Sequence, residues 1–519
     1  MKMKITIEIE NVDGTKEIKP VVIDAEIPEF EEFKDSSNFR EVFHKYEKAV
    51  LKARNAAAEL ATEEYLTELS KKKVYKKTEE REEVVVKENS SGYIIEAEVG
   101  RLDILTHRME RGSRTIYNTK VDIFPKIGPK EMYQSSCYDG IKLKLVSYMP
   151  YRKSEEILNR IRWQDDEEII KYRTIGDAVA REGAEIIDYI DTKAKQILVQ
   201  NHFNVNSGNP DQGYAVGKDT ECPEIHIIPK YQVKQAIDEY NNGKAKELQI
   251  DEAQINEVFE DLTHSVNISV DDVGVTEQKE SNRSKDSQPS ESKHYVKNTV
   301  IHIQQGINKY ILDGLGMKGM LIILTAFLLN NNLFTNNTIV FFADGADNIK
   351  NGIKDIFGWR PYRIILDWYH LRKKCKERLS MAMNGRVVRN MVLKKLISLL
   401  WLGKVDAAEE YLRGLDGNMV RNISEIELLI AYFERNRNNI PCYELRKKLG
   451  LRVSSNRGEK ANDLVVAQRQ KHNGMSWSKA GSSGLANIRV LFLNKEDENW
   501  ITRRKLEFKL VSSTDKKVA

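Results

Sequence analysis

Two apolar stretches, each carrying an aspartate near its end, constrain the fold of this chain more than any other feature. The first, TIVFFADG, spans residues 338–345 and contains Asp344; the second, YRIILDWYH, spans 362–370 and contains Asp367. Runs of this kind are typical of strands buried on both faces of a sheet. Between them, DNIKNGIKDIF has the spacing of an amphipathic helix. The pattern predicts a β-α-β unit with parallel strands and a helix packed on the sheet.

Three further strands are predicted before this unit. They are SVNISVDDVGV (265–275), YVKNTVIHIQ (295–304) and KYILDGLG (309–316), and a helix, MKGMLIILTAFLLNNN (317–332), follows them. The polar residues 276–294 have no apolar face, so we expect a loop or a disordered insertion there. Consecutive strands favour antiparallel hairpins, whereas the later alternation favours parallel strands. The fold class is therefore α/β, with a mixed sheet in the order β-β-β-α-β-α-β.

The rest of the chain is more helical. Residues 1–30 alternate like short strands, 38–82 are helix-rich, and SGYIIEAEVGRLDILTHRMERGSRTIYN reads as a strand pair turned at ERGSR. YRKSEEILNRI and RTIGDAVAREGAEIIDYI have the spacing of a helix-turn-helix, although acids on the second helix equally favour an ordinary helical pair. Residues 370–450 carry apolar positions at helical spacing.

These differences in composition and periodicity along the chain predict six regions. They are 1–143, a mixed strand and helix N-terminal region; 144–260, helical with a candidate DNA-binding helix-turn-helix; 261–368, the first part of a catalytic core; 369–453, an all-helical insertion; 454–495, a helix that completes the core; and 496–519, a C-terminal tail.

Asp344 and Glu459 are candidate catalytic residues. Asp344 follows a buried strand, and ligands of open α/β sheets bind beyond the carboxyl ends of the strands. Glu459 opens a helix in SSNRGEKANDLVVAQRQ, on which Asn462 and Arg469 are expected to share its face. Each acid has an ordinary alternative: Asp-Gly is common in turns and helix caps, and the helix dipole favours Glu at an exposed N-terminus.

Asp271 is the third candidate and lies on the first predicted strand. With a period of two, it shares a face with Ser269, while Ile268 and Val270 share the apolar face. The neighbouring Asp272 is expected to face away. The ordinary alternative is a polar face on a half-exposed strand.

A block of positive charge follows Asp344. Between Lys350 and Lys404 there are fourteen Lys or Arg and three acids, although the net charge of the chain is only +4. Such a block makes a positive surface that suits a polyanion, the alternative being a solvated helix face. The cations expected to contact phosphates are Arg372, Lys373, Lys374, Lys376, Arg378, Arg457, Lys460 and Arg469.

Three carboxylates on separate elements beside a positive surface suit one chemical task. Mg²⁺ prefers oxygen ligands and keeps several waters, so a few carboxylates hold two ions. Two such ions clamp the attacking and leaving oxygens of an in-line phosphoryl displacement. The pattern therefore predicts Mg²⁺, or Mn²⁺, bound by Asp271, Asp344 and Glu459.

These residues resemble a known family. The strand order with its three acids, ADGADNIKNGIKDIFGWRPYRIILDWYHL and SSNRGEKANDLVVAQRQKHNGMSWSKAGSSGLANIR resemble bacterial insertion-sequence DDE transposases of the Mutator-related group. The resemblance implies a ribonuclease-H-like core interrupted by a helical insertion domain. It also implies that Asp271, Asp344 and Glu459 bind the metals. Relatives carry Cys-x-x-His after the second acid, where this chain has Asp367-Trp-Tyr-His370.

Some assignments stay open at this stage. His370 and Asn462 are candidate accessory residues, and a packed core histidine is the alternative for His370. Asp272 and Asp313 are rivals to Asp271 as the first acid, and a turn is the alternative for Asp313 in ILDGLG.

Composition excludes other classes. The longest apolar stretch, GMLIILTAFLL, is too short to span a bilayer, and no signal peptide is visible, so we expect a cytoplasmic bacterial protein with no membrane partner. The four scattered cysteines, Cys137, Cys222, Cys375 and Cys442, favour reduced thiols over a zinc site.

The function predicted from these patterns is that of a transposase. It would bind the DNA ends of its insertion sequence, cleave them and transfer the 3′ ends to target DNA, working as a homo-oligomer on DNA. The alternatives are a ribonuclease-H-like nuclease or resolvase that hydrolyses without joining, and a non-catalytic DNA-binding derivative.

Overall fold

The computed structural model divides the chain into two compact units. One comprises Met1–Ala178 with Ile501–Arg504, and the other Val179–Trp500 with Lys505–Ala519. The division falls within a helix near residue 178, and the boundaries at residues 143 and 260 stay predictions. The structure describes all residues except 12–14, 17, 35–36, 79–83, 126–132, 163–169, 212–225, 256–257, 279–293, 472–474 and 513–519.

The described elements are mostly helical. The strands are β1 (Lys2–Ile7), β2 (Val21–Glu26), β3 (Val85–Glu88), β4 (Tyr93–Glu96), β5 (Arg101–Ile104), β6 (His107–Arg111), β7 (Arg114–Asn118), β8 (Tyr133–Gln134), β9 (Ser265–Thr276), β10 (Tyr295–Gln305), β11 (Asn308–Leu315), β12 (Thr338–Ala343), β13 (Arg363–Leu366) and β14 (Val511–Ser512). The α-helices are α1 (Phe39–Thr78), α2 (Thr119–Asp122), α3 (Ser136–Tyr148), α4 (Tyr151–Arg162), α5 (Tyr172–Gln200), α6 (Lys230–Asn241), α7 (Met317–Asn330), α8 (Asp347–Phe357), α9 (Trp368–Ala382), α10 (Arg386–Trp401), α11 (Val405–Arg413), α12 (Ile423–Asn436), α13 (Tyr443–Lys448), α14 (Asn456–Asn462), α15 (Gln468–Gln470), α16 (Lys479–Leu493) and α17 (Asp497–Arg503).

The first unit contains small sheets and a long helix. Strands β1 and β2 pair antiparallel, and two three-stranded sheets have the orders β3-β6-β7 and β5-β4-β8. The predicted turn at ERGSR joins β6 to β7, but the segment forms four strands and not two. Helices α4 and α5 occupy the candidate helix-turn-helix. The connection between them, 163–169, lies outside the described residues, so a DNA-reading role stays a prediction.

The second unit is built on a six-stranded mixed sheet with the order β13-β12-β9-β10-β11-β14. The β9–β10 and β10–β11 pairs are antiparallel, while β12 pairs parallel with both β9 and β13. The predicted order β-β-β-α-β-α-β and both predicted pairing modes are therefore confirmed. The predicted polar insertion lies at the β9–β10 connection, of which 279–293 is outside the described residues.

Strand β12 is buried along its whole length because helices cover both faces of the sheet. Ile339 and Phe341 lie in one apolar core with α5, α7 and α8. Val340 and Phe342 lie in a second core with α9, α10, α11 and α12. The alternation follows from the two-residue period of a strand. The helices between β13 and α14, in the region 369–453, thus pack directly against the central sheet.

The C-terminal residues are not a free tail over their described length. Phe508 is fully buried, within the core formed by α7 and β11, and β14 pairs with β11 at Asn308 and Lys309. The expectation of a tail over 496–519 is therefore wrong up to Ser512. Sequence patterning missed this because the buried residues Leu506 and Phe508 alternate with charged residues over too short a stretch to stand out.

Candidate metal and phosphate site

Asp271 projects from the middle of β9, on the face opposite the α7 core. Ile268 and Val270 lie in that core, as predicted, while Asp271 lines a cleft on the other face. Asn462 donates from Nδ2 to Oδ2 of Asp271 at 2.6 Å, and the Asp272 N–H donates to Oδ1 at 2.8 Å. Both oxygens are thus held in place. The side chain of Asp272 instead accepts from the Thr299 hydroxyl at 2.7 Å.

Asp344 is fixed by the turn that ends β12. Gly345 has φ +83°, a region that favours glycine, and a Cβ there would lie 2.7 Å from Cδ1 of Leu366. The Ala346 N–H donates to Oδ1 of Asp344 at 2.8 Å, and the Tyr432 hydroxyl donates to the Asp344 carbonyl at 3.0 Å. Helix α12, which carries Tyr432, therefore buttresses the turn.

Glu459 reaches the same cleft because α14 lies directly on β9. A Cβ added at Gly458 would come within 2.5 Å of Cβ of Ser269, so only glycine permits this approach. Ser269 is two residues from Asp271 on the same strand face. The contact at Gly458 thus brings Glu459 and Asn462 to Asp271.

The three predicted carboxylates line one cleft. Its walls are Ser269, Val270, Asp271, Val300, Phe342, Ala343, Asp344, His370, Ser455, Gly458, Glu459 and Asn462. The tightest group of metal-ligating atoms, within 4.8 Å of one another, comes from Asp271, His370 and Glu459. Asp344 lies in the cleft but outside this group. The donor set of carboxylate oxygens, one imidazole and one amide suits a hard divalent cation.

His370 is oriented by Asp367, whose side chain is fully buried. Asp367 caps α9 by accepting from the His370 N–H at 3.0 Å, and it also lies 2.9 Å from Nδ1 of His370. Nε2 then lies 3.2 Å from Oε1 of Glu459. The prediction of a strand over 362–370 is wrong here, because β13 ends at Leu366 and Asp367 begins a helix.

Asp367 also joins two segments distant in sequence. The Ser455 N–H, just before α14, donates to its Oδ1, so Asp367 links α9 to the entry of α14. Sequence reasoning noted this aspartate at the end of a strand but missed its anchoring role. The available signal was the spacing Asp367-x-x-His370, which matches an N-cap and the third residue of a helix.

Charges in the cleft shift the pKa values of its residues. Burial raises the pKa of Asp271 to about 6, with the negative charges of Asp344 and Glu459 adding to the effect against the opposing influence of His370. Burial lowers the pKa of His370, but hydrogen bonding to Asp367 and the charges of Asp367, Glu459 and Asp271 outweigh it, so the net shift is upward. Uncompensated negative charge therefore accumulates where a cation would be favourable.

The cations of α9 divide between two faces of the helix. Lys373, Lys374 and Arg378 line a groove of about 340 Å³ that also contains Asp344 and His370. Arg378 is partly engaged, since its Nη1 lies 2.7 Å from Oε2 of Glu425. Arg372 and Lys376 are exposed but do not line this groove.

The predicted cations near Glu459 also differ from one another. Arg457 and Lys460 are exposed on α14, where Lys460 lies 3.2 Å from Asp463. Arg469 is buried and its guanidinium lies 5.5 Å from the Trp477 ring centre, so it is not on the exposed face expected for it, and its phosphate contact stays a prediction. A π-helical turn, Asp463–Ala467, precedes Arg469 and inserts an extra residue. This rotates the following residues by about 100°, off the face of Glu459.

No protein-family model matches the chain, and no curated protein matches it. Among the described residues, no helix is both long and apolar enough to cross a membrane. Among the described residues, Cys137, Cys375 and Cys442 form no disulfide, and Cys222 lies outside them. The chemistry of the carboxylate cleft is therefore the basis for assigning a function.

Proposed function

We propose that this protein is a metal-dependent DNA transposase, which cuts the ends of its own mobile element and joins them to target DNA. The observation that carries the proposal is the meeting of Asp271, Asp344 and Glu459 in one cleft. These acids come from β9, from the end of β12 and from α14, three elements far apart in sequence. Acids that served only as turn residues or helix caps would not be expected to meet in one cleft.

The cleft residues fit Mg²⁺ or Mn²⁺. Asp271, Asp344 and Glu459 would hold the ions, with His370 at the edge of the donor set. The bound ions supply charge stabilisation at the attacking and leaving oxygens of a phosphodiester. Asn462 and the Asp272 N–H hold the Asp271 carboxylate in one orientation, and Asp367 and His370 hold Glu459.

Positive charge on both sides of the cleft supports a polyanionic substrate. Lys373, Lys374 and Arg378 line the groove on the Asp344 side. On the Glu459 side, burial and, to a lesser extent, the charge of Arg457 together lower the pKa of Arg452 to about 10. Two neighbouring cations that repel each other provide a site for a phosphate.

Joining and action on element ends are the parts of the proposal that rest on the family resemblance. The sheet order and the helices packed between β13 and α14 support the resemblance, because they follow the element order on which it was based. Transfer of two DNA ends requires two active sites, so the proposal includes a homo-oligomer assembled on DNA.

The test is transposition in cells, with the gene on one plasmid and a marker between its native DNA ends on another. The informative variants are Asp271→Asn and Asp344→Asn. The matched controls are Asp272→Asn, on the other face of β9, and Asp355→Asn, an exposed acid on α8 that lines neither the cleft nor the groove. We expect marker movement with wild type and both controls, and a loss of about 100-fold or more with either cleft variant.

Each other outcome points to a specific alternative. Marker movement that persists in Asp344→Asn rejects the assignment of this carboxylate. Purified protein that cuts DNA with Mg²⁺ but never joins it indicates a nuclease or resolvase. DNA binding without cleavage under Mg²⁺ and Mn²⁺ indicates a non-catalytic derivative.

A further inference from the structure

A cavity of about 310 Å³ lies at the edge of the large sheet and shares no lining residue with the carboxylate cleft. Its walls come from α5, the end of β11, α7 and α16. Helix α7 packs on the sheet face that contains the Leu312 side chain. Helix α16 packs on the opposite face of the sheet, where the Ser482 hydroxyl accepts a hydrogen bond from Asn298 Nδ2 at 2.8 Å. A cavity that both helices line therefore lies beyond the edge of β11. Strand β14 covers this edge only at Asn308 and Lys309.

Asp313 in this cavity lacks partners for its carboxyl group. The residue is only 5% exposed, and neither carboxyl oxygen has a hydrogen-bond partner among the described residues. The Ser483 hydroxyl, at 3% exposure, is likewise unpaired among them. Buried polar groups are almost always hydrogen-bonded in native proteins. Asp313 is also on a strand and not in the turn considered from the sequence.

The main chain adds further polar groups at the same edge. The N–H and C=O of Ile311 bond to the Asn494 side chain at 2.9 and 2.8 Å, so they point away from β10. Along a strand of an antiparallel pair, the main-chain N–H and C=O groups of successive residues point alternately to the two neighbouring edges. Those of Asp313, two residues after Ile311, therefore point to the same outer edge. The Asn487 amide, which also lines the cavity, already donates to the Ser483 carbonyl at 2.9 Å.

The remaining walls are mainly apolar. They include Ile187, Ile190, Leu198, Met320, Ile322 and Ile323. The other charged lining residues are Asp191, half-buried, and Lys195, exposed. The cavity is therefore a mainly apolar volume that borders Asp313 and Ser483, and its charged lining residues are two acids and one base. Its volume is at the lower end of the range for small-molecule sites.

We propose that this cavity binds a small apolar primary amine, with the amino group at Asp313 and Ser483 and the hydrocarbon among the isoleucines. The unpaired side-chain groups beside the cavity, among the described residues, are the Asp313 carboxyl and the Ser483 hydroxyl, and an ammonium group brings three donors and no acceptor. Burial raises the pKa of the Asp313 carboxyl, so an amine entering as the free base takes its proton, and the resulting ammonium–carboxylate pair gives both groups a partner. The inference is independent of the proposed transposase activity.

The test uses 2-phenylethylamine as the probe, with 2-phenylethanol and 3-phenylpropionate as ligands of similar shape. Binding to the full chain is measured by calorimetry, and its location by methyl NMR of Ile190, Ile322 and Ile323. We expect saturable binding of the amine, preferred over the alcohol and the anion. Asp313→Asn, which keeps the shape of the side chain, is expected to weaken amine binding about tenfold or more. Asp188→Asn, an exposed acid of α5 that does not line the cavity, should change it by less than about threefold.

Other outcomes overturn the proposal. No saturable amine binding to wild type, or equal binding to wild type and Asp313→Asn, removes the role of the carboxyl. A preference for the alcohol or the anion rejects the chemical class. Binding that leaves the three isoleucine methyl signals unmoved rejects the location. Circular dichroism of each variant separates loss of binding from loss of folding.

Discussion

At the scale of single residues, the geometry of the cleft depends on side chains that orient the candidate metal ligands. Asp367 touches no candidate metal ligand other than His370, yet it fixes α9, His370 and the entry of α14 together. Its pKa is lowered: burial opposes ionisation, but hydrogen bonds from His370 and from the Ser455 N–H outweigh it. A buried, ionised and fully bonded carboxylate is a rigid anchor for the imidazole beside Glu459.

His302 provides a test of electrostatics beside the cleft. Burial lowers its pKa to about 3, and the charges of Arg452, Lys309 and Arg457 add to the shift. Its Nδ1 has no hydrogen-bond partner among the described residues. The folded state therefore keeps His302 neutral, while the unfolded state takes up a proton below about pH 6.5. The stability that His302 contributes is complete above that pH and falls as the pH decreases towards 3.

We expect wild type to lose about 2 kcal/mol more unfolding free energy between pH 7 and pH 5 than His302→Phe loses. Other titrating groups are common to both proteins and cancel in this difference. The measurement is urea unfolding at both pH values, followed by tryptophan fluorescence. An equal loss in the two proteins would show that His302 is protonated in the folded state.

At the scale of elements, the cleft is assembled by close approach of α14 to β9 at Gly458. In Gly458→Ala, the new Cβ would meet Ser269, because it would lie 2.5 Å from the Ser269 Cβ. We expect α14 to move outward, which withdraws Glu459 and Asn462 from Asp271. Metal-dependent DNA cleavage should then fall about tenfold or more, since displacement of a catalytic group by an ångström has effects of this size.

The double variant Gly458→Ala with Ser269→Gly tests this explanation. Removing the Ser269 Cβ makes room for the alanine methyl, so cleavage should recover to at least the level of Ser269→Gly alone. If cleavage by the double variant stays as low as in Gly458→Ala, the cause is the loss of glycine's backbone flexibility at residue 458 and not the contact with Ser269. Initial cleavage rates on a labelled duplex measure both outcomes.

The elements also show what the sequence could and could not predict. Five of the six strands of the large sheet, all but β14, and the face of Asp271 were predictable, because period-two and fully apolar patterns report burial directly. The end of β13 was not, since Asp367 interrupts an apolar run that continues into α9. The burial of Arg469 was missed because a π turn changes the helical phase without a clear sequence signal.

At the scale of the whole molecule, all three candidate metal ligands belong to the second unit. A ligand that binds only the folded form stabilises the part of the protein that contains its site. Burial raises the pKa of Asp271, and the negative charges of Asp344 and Glu459 add to this shift. Binding of a divalent cation should therefore stabilise the second unit and leave the first unit, which contributes no residue to the cleft, unchanged.

Calorimetry of the full chain is expected to show two unfolding transitions, since each unit has its own core. At a Mn²⁺ concentration about 100 times the dissociation constant, one transition should gain about 2.7 kcal/mol. The transition that shifts should be the one reported by methyl signals of β12, and Asp344→Asn should reduce the shift while Asp355→Asn, outside the cleft and the groove, preserves it. A Mn²⁺ effect on both transitions alike would indicate non-specific binding, because the exposed acids of the first unit would then respond as strongly as the cleft.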